Sequence, residues 1–112
     1  MSYKFGAHKI INYSNAKVFF SKIKKKKKII QCHGVFDLVH PGHIRHFVHC
    51  KSKADILIVS LTPDIFIKKG AYRPLIPERM RASNLAVLEM VDYVIIDQNK
   101  FPYKLLNLIK PN

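Results

Sequence analysis

The sequence predicts an α/β domain built around a parallel sheet, and three observations lead to this expectation. The chain has 112 residues, 48% of them apolar, which suits one domain with a packed core. Short apolar runs with the length of buried strands alternate with longer segments of helical periodicity. The run at residues 55–61 is apolar almost throughout, as in a strand covered on both faces. Right-handed crossovers between such strands give a Rossmann-like parallel sheet with flanking helices.

Four segments have the signals of helices. Residues 14–27 begin at Ser14, a residue type that caps helices, and continue with apolar residues at helical spacing. Residues 41–52 begin at Pro41, whose missing N–H costs nothing in a first turn. The apolar side chains that we expect to face inward on these two helices are Val18, Phe19 and Ile23, then Ile44, Phe47 and Val48. The other predicted helices are residues 78–90 and 103–109.

Three segments are predicted as buried strands, namely residues 29–33, 55–61 and 93–97. Prolines and a glycine interrupt residues 62–77, which we expect to form a loop that orders over a ligand. We divide the chain into an N-terminal helical extension, residues 1–28, and a principal domain, residues 29–112. The extension ends in the lysine run Lys24–Lys28, interpreted as a solvated helix end and turn, with a nucleic-acid tail as the alternative.

The formal net charge is +13, from 20 Lys and Arg against 7 Asp and Glu. Such a balance favours nucleic acid, anionic lipid or phosphorylated small molecules as partners. Nucleic acid is disfavoured, because no aromatic-rich recognition motif accompanies the charge. No apolar run approaches the ~18 residues that span a bilayer, and the N-terminus lacks the pattern of a secretory signal. We therefore expect a cytoplasmic protein without a membrane partner.

The two cysteines, Cys32 and Cys50, have no zinc-type spacing and are expected to be small buried apolar residues. His46 and His49 are expected on a helix surface. A metal site at His43, His46 and His49 is an alternative, but no nearby cysteine or carboxylate completes its ligand set. The sequence therefore predicts no metal-ligating residue in this chain.

The segment Gly34-Val35-Phe36-Asp37-Leu38-Val39-His40-Pro41-Gly42-His43 carries the chemistry. In an open parallel sheet, ligands bind beyond the carboxyl ends of the strands, where Gly34 lies. The helix that begins at Pro41 directs free N–H groups there, which suits a phosphate. Gly34 and Gly42 have no Cβ and so allow close approach. His40 and His43 share one side of the first turn, from which imidazoles can donate to phosphate oxygens whose charge grows in a transition state.

The same segment resembles the signature G-x-F-D-x-x-H-x-G-H of the cytidylyltransferase-like nucleotidyltransferases. Further stretches resemble the branch with the sugar-phosphate adenylyltransferases of the ADP-heptose pathway and glycerol-3-phosphate cytidylyltransferase. These stretches are Lys68-Lys69-Gly70, Arg73-Pro74, Pro77, Arg81 and Val91-Asp92-Tyr93-Val94. The resemblance extends over residues 29–112, which are thereby interpreted as a partial nucleotidyltransferase domain, and it does not extend over residues 1–28.

The resemblance implies transfer of AMP or CMP from ATP or CTP to a phosphorylated small molecule, with release of pyrophosphate. A sugar phosphate is the first choice of acceptor and glycerol phosphate the second. It also implies Mg²⁺, held mostly by the triphosphate and by water. The residues for which it implies a catalytic role are His40, His43, Lys69 and Arg81. Those for which it implies nucleotide binding are Gly34, Val35, Phe36, Asp37, Gly42 and Lys68.

Helical spacing separately favours Arg81 over a surface arginine, because it precedes Leu85 by four residues and lies in the turn nearest the ligand crevice. Asp92 is expected to be structural, at the start of the third strand.

Family members continue into a further strand and a loop with an I-S-[ST]-T-like motif, whereas this chain stops at Asn112. We therefore expect a C-terminally incomplete relative with little turnover of its own and an apolar sheet edge. The alternative is a catalytically weak nucleotide-binding or interaction module. The choice between ATP and CTP stays open, as does a homodimer.

Overall fold

The computed structural model describes residues 6–23, 27–67 and 74–112, and its centre is a three-stranded parallel sheet. The strands lie in chain order and are β1 (Ile29–Gly34), β2 (Ile56–Leu61) and β3 (Tyr93–Ile96). Gly34 lies opposite Leu61, and Leu61 lies opposite Ile96. The three strands therefore end at one edge, and the prediction of a Rossmann-like α/β fold is confirmed.

Four α-helices flank the sheet: α1 (Ala16–Ile23), α2 (Pro41–Ser52), α3 (Glu78–Ala86) and α4 (Tyr103–Ile109). The predicted bounds of α2 and α4 are confirmed. α3 ends four residues earlier than predicted, because the chain turns after Ala86 so that Val91 enters the core before β3 begins. Within the described ranges, no helix combines the length and the apolar character needed to cross a membrane.

The start and the inward face of α1 differ from the prediction. Ser14 lies in a 3₁₀ turn, Tyr13–Asn15, that precedes the helix instead of capping it. Val18 is 60% exposed, whereas Ala16 and Phe20 are fully buried. Ala16 and Phe20 therefore form the fully buried column, and the predicted Phe19 and Ile23 pack beside it, partly buried.

The two faces of the sheet carry separate apolar clusters, and β2 is buried along its whole length between them. One cluster lies under α2 and α3, and the other under α1 and α4. The described part of the predicted N-terminal extension covers the sheet: Ile10 bridges Val94, and Phe20 packs in the cluster with Ile29 and Leu105. Residues 6–23 therefore share a core with the principal domain.

β1 forms one edge of the described sheet. At the start of this edge, Asn112 donates its N–H to the carbonyl of Ile29 at 2.9 Å and accepts from the Ile29 N–H through Oδ1 at 2.8 Å. Most of β1 is half-buried, in contrast to the fully buried β2. From Ile30 to Gly34, this edge borders the cleft described below.

Asp92 joins three elements at the start of β3, which confirms its predicted structural role. Its Oδ2 accepts from the N–H of Leu57 at 2.7 Å and from Nζ of Lys51 at 2.6 Å. Its own N–H donates to the Leu57 carbonyl at 2.9 Å. The carboxylate thus holds β2, β3 and the end of α2 together.

We expect Asp92→Ala to lower the free energy of unfolding by about 1–3 kcal/mol, because the Leu57 N–H loses its acceptor. Lys51→Ala should cost less than about 1 kcal/mol, since that ion pair is partly exposed. Urea unfolding measures both, with the exposed Glu89→Ala as the matched acidic control. Equal stability of the Asp92→Ala and Glu89→Ala variants would contradict this role of Asp92.

Candidate functional site

A cleft of about 740 Å³ opens at the carboxyl end of β1. Its walls are β1 from Ile30 to Gly34, the loop that follows this strand and one side of α2. It therefore lies where an open parallel sheet binds ligands. Among the residues predicted for nucleotide binding or catalysis, those that line the cleft are Gly34, Val35, Phe36, Asp37 and His43.

Gly34 is required by a side chain of the same loop. A Cβ on Gly34 would lie 2.9 Å from the ring of Phe36, closer than real Cβ contacts. Phe36 has a φ of 52°, a left-handed conformation that is uncommon outside glycine. Its ring packs edge-to-face against His43 and Phe47, each at 5.4 Å between centroids. The missing Cβ of Gly34 thus lets Phe36 turn inward and support the ring of His43.

His40 and His43 form a reciprocal cap at the start of α2. Nδ1 of His40 accepts from the N–H of Gly42 at 3.0 Å, and Nδ1 of His43 accepts from the N–H of His40 at 3.2 Å. Their rings stack, with centroids 3.8 Å apart and planes 30° from parallel. Gly42 leaves room for the His40 ring, because a Cβ on residue 42 would lie 2.8 Å from Cε1 of His40. The structure therefore brings the two histidines together, as predicted from their spacing.

The cap selects one tautomer of each ring. A neutral imidazole that accepts through Nδ1 carries its proton on Nε2. Burial lowers the pKa of His43, and the neighbouring His40 and His46 lower it further by repulsion between positive charges. The neutral form of His43 is therefore favoured, and each ring keeps an Nε2–H donor that the cap does not use.

Asp37 is buried and fixes the loop across the cleft. Its Oδ1 accepts from the N–H of Ile76 at 2.9 Å, and its Oδ2 accepts from the N–H of Leu75 at 3.0 Å. The carboxylate thus holds the segment before α3 against the loop after β1. This geometry makes Asp37 a positioning residue for the cleft.

Arg81 is fully buried, and its position corrects the prediction of a phosphate contact. Nη1 donates to the carbonyls of Val35 and Thr62 at 2.7 and 2.8 Å, and Nε donates to the carbonyl of Ile76 at 3.0 Å. Nη2 forms an ion pair with Oδ1 of Asp64 at 2.6 Å. The inward placement was predicted correctly, but these partners take up the guanidinium, which does not reach the surface of the cleft.

The predicted roles of Lys68 and Lys69 fall outside the described residues, as does most of the lysine run. Val35 lines the cleft, and its carbonyl accepts from Arg81. The contacts of all these residues with a nucleotide stay predictions.

The convergence of Cys32, His46 and Cys50 at the cleft did not follow from the sequence reasoning. Cys50 is buried, as expected, but both thiols contact His46. Among the described residues, it is this trio and not His43, His46 and His49 whose potential ligand atoms meet. Burial, followed by the contact with Cys50, raises the pKa of Cys32 to about 12. The i, i+4 spacing of His46 and Cys50 was the available signal, but Cys32 comes from another element.

Arg81→Lys tests whether this residue positions the loops or contacts phosphate. We expect the free energy of unfolding to fall by about 2 kcal/mol or more, because buried carbonyls lose their donors at about 1–3 kcal/mol each. Urea unfolding measures this, with the exposed Arg79→Lys as the matched control. If the variant is as stable as wild type but binds nucleoside triphosphate more weakly, the result would instead support a phosphate contact by Arg81.

The lowered pKa of His43 predicts a loss of stability in acid. The neutral ring holds the cap in the folded state, so its contribution is present above the ordinary histidine pKa of 6.5 and is lost as the pH falls through the lower folded value. We expect wild type to lose more stability than His43→Asn between about pH 7.5 and about pH 5, measured by urea unfolding. Identical pH dependence of the two proteins would show that the cap contributes nothing.

Comparison with known proteins agrees with this geometry. A family model described as Cytidylyltransferase-like matches residues 31–112. The bifunctional protein HldE of Aliarcobacter butzleri is 39% identical over 119 residues, covering 98% of this chain and 25% of that protein. HldE of Helicobacter pylori is 44% identical over 89 residues, covering 78% of this chain and 19% of that protein. The chain thus spans a quarter or less of the length of these curated relatives.

A solved structure has the same fold. The lipopolysaccharide core biosynthesis protein from Thermoplasma volcanium matches with a TM-score of 0.65 and 27% identity, over 76% of this chain and 70% of that chain. The family resemblance noted in the segment from Gly34 to His43 is therefore confirmed by sequence and by fold. The family model matches residues 31–112, and the structure has a capped histidine pair at the start of α2 within that range. This chain therefore belongs to the cytidylyltransferase-like family.

Proposed function

We propose that this chain provides the nucleotidyl-transfer site of an enzyme that transfers AMP or CMP from a nucleoside triphosphate to a phosphorylated small molecule. The observation that carries the proposal is the stacked pair of His40 and His43 at the start of α2, beside the cleft at the end of β1. In the reaction, an oxygen of the acceptor phosphate attacks the α-phosphorus. The bond between the α-phosphorus and the bridging oxygen breaks, and pyrophosphate leaves.

The two imidazoles supply donors to the oxygens on which charge grows. Because Nδ1 of each ring is held by the cap, the Nε2–H groups are fixed in tautomer and stacked in position before the substrate arrives. Such donors need no reorganisation during the reaction, and this is the main source of their effect on rate. The positive end of the α2 helix dipole adds a favourable site for phosphate.

The described residues fit a magnesium ion that is carried by the nucleotide. Asp37 is the acidic residue among the described lining of the cleft, and its oxygens accept from backbone N–H groups. Mg²⁺ commonly keeps several waters and binds through substrate phosphates, so such a cleft needs no dedicated carboxylate cage. When bound with the triphosphate, the ion would neutralise charge on the phosphates. Lys68 and Lys69 are proposed to add positive charge from the loop that follows β2.

A sugar phosphate is the acceptor that we favour, with glycerol phosphate second. The fold neighbour is named for lipopolysaccharide core biosynthesis, and the relatives are named bifunctional proteins, which suits a transferase domain within a longer protein. The net charge of +13 suits two phosphorylated substrates that must meet in one cleft. We propose the cytoplasm as the compartment, where nucleoside triphosphates are available.

In a protein that extends this chain through the later phosphate-binding segment of the family, His43→Ala is expected to lower kcat by about 10²–10³. The affinity for nucleoside triphosphate should change much less. The reason is that a donor directed at growing charge acts mainly in the transition state. The measurement is pyrophosphate release against ATP or CTP concentration with a sugar phosphate present. His49→Ala is the matched control, since His49 is an exposed histidine on the same helix, away from the cap.

Thermal melts of the same samples separate chemistry from folding. His43→Asn retains a side chain that can cap, so it should recover stability without recovering kcat. A higher KM with unchanged kcat would mean that His43 only anchors the triphosphate. Nucleotide binding by the extended wild-type protein without pyrophosphate release would favour the alternative, a catalytically weak nucleotide-binding or interaction module.

A further inference from the structure

Two thiols and one imidazole meet on the side of the cleft formed by β1 and α2. Sγ of Cys32 lies 3.7 Å from Sγ of Cys50 and 3.8 Å from Nε2 of His46. Sγ of Cys50 lies 3.6 Å from the same nitrogen. The three atoms therefore form a nearly equilateral triangle, although they come from a strand and from two successive turns of a helix.

This triangle has the dimensions of one face of a zinc tetrahedron. With Zn–S bonds of about 2.3 Å and Zn–N bonds of about 2.05 Å at tetrahedral angles, S···S is about 3.8 Å and S···N is about 3.6 Å. The measured separations of 3.7, 3.8 and 3.6 Å match these values without movement of the backbone. A metal ion would lie just outside the plane of the three atoms, at bonding distance from each.

We propose that Cys32, His46 and Cys50 form a binding site for a thiophilic divalent cation of the zinc type. Two sulfurs and one imidazole nitrogen are a donor set that zinc prefers to Mg²⁺ or Ca²⁺. On binding, both thiols lose their protons to solvent and two metal–sulfur bonds form, so no oxidant is involved. Because all three residues line the cleft, the fourth position is open to water or to a ligand atom.

The site would join the strand that precedes the phosphate-binding loop to the helix that follows it. Cys32 lies two residues before Gly34, and His46 lies one helical turn after His43. A metal bound only by the folded arrangement raises stability in proportion to its concentration and affinity. The site is thus expected to stiffen the frame of the cleft, and this inference does not rest on the proposed nucleotidyl transfer.

A disulfide between Cys32 and Cys50 is the competing chemistry. The two sulfurs already lie 3.7 Å apart, but a disulfide between them would leave the contacts of His46 without a role. The histidine contact with both sulfurs therefore favours the metal over the disulfide.

The test is titration of the reduced protein with Co²⁺ alone. We expect thiolate-to-cobalt charge transfer in the near ultraviolet and the intense visible bands of tetrahedral cobalt, saturating at a 1:1 ratio. Zn²⁺ should then abolish the colour and raise the Tm. His46→Ala should weaken Co²⁺ binding about tenfold or more, since even changes outside the ligand shell commonly cost that much. His49→Ala is the matched control on the same exposed side of α2 and should bind like wild type.

Cys32→Ser and Cys50→Ala should each reduce the charge-transfer band, and circular dichroism reports whether each variant is folded. If the Cys50 variant does not fold because Cys50 is buried, the comparison of His46→Ala with His49→Ala still decides, since both are exposed. Absence of charge transfer in the folded, reduced wild type would overturn the proposal. So would equal Co²⁺ affinity of the two histidine variants, or an intramolecular disulfide that forms while the reduced thiols bind no metal.

Discussion

The buried guanidinium of Arg81 is the contact on which the geometry of the cleft depends. It donates to backbone carbonyls in three separate segments: the loop after β1, the loop after β2 and the segment before α3. Each of those carbonyls would lose a hydrogen bond in a dry environment without it. A planar group with several fixed donors can satisfy them together, which a single ammonium cannot do. The charge itself is balanced by Asp64 at 2.6 Å.

Together with Arg81, three carboxylates fix the backbone around the cleft. Asp64 and Glu78 each accept from the backbone N–H of the other, at 3.1 and 2.9 Å respectively, so the turn after β2 is fixed to the start of α3. Asp37 holds two consecutive N–H groups, those of Leu75 and Ile76, from the opposite side. The backbone around the cleft is therefore set by buried and part-buried polar contacts before any ligand binds, as preorganised electrostatic sites require.

Helix α2 carries two groups of polar side chains beside the cleft. Its first turn holds the stacked imidazoles of His40 and His43, whose tautomers the cap selects. Its next turns hold His46 and Cys50, which meet Cys32 from β1. Phe36 packs against His43, and the ring fits only because Gly34 lacks a Cβ. Residues of the loop signature thus have roles in internal packing, in addition to the ligand binding proposed for them.

The sequence by itself determined the order of the elements and the location of the candidate site. Periodicity and end signals act over a few residues, so the bounds of α2 and α4, the buried strand β2 and the structural role of Asp92 could be predicted. The carboxyl end of β1 was identified for a similar reason, since a glycine after a strand and a proline at a helix start are local signals.

Only the tertiary structure decided which polar groups meet. Arg81 lies inward, as its helical spacing indicated, but its partners come from loops up to 46 residues away along the chain. Cys32 reaches His46 and Cys50 only because α2 packs across β1. Side-chain partnerships of this kind depend on how elements pack, a property that no local pattern contains.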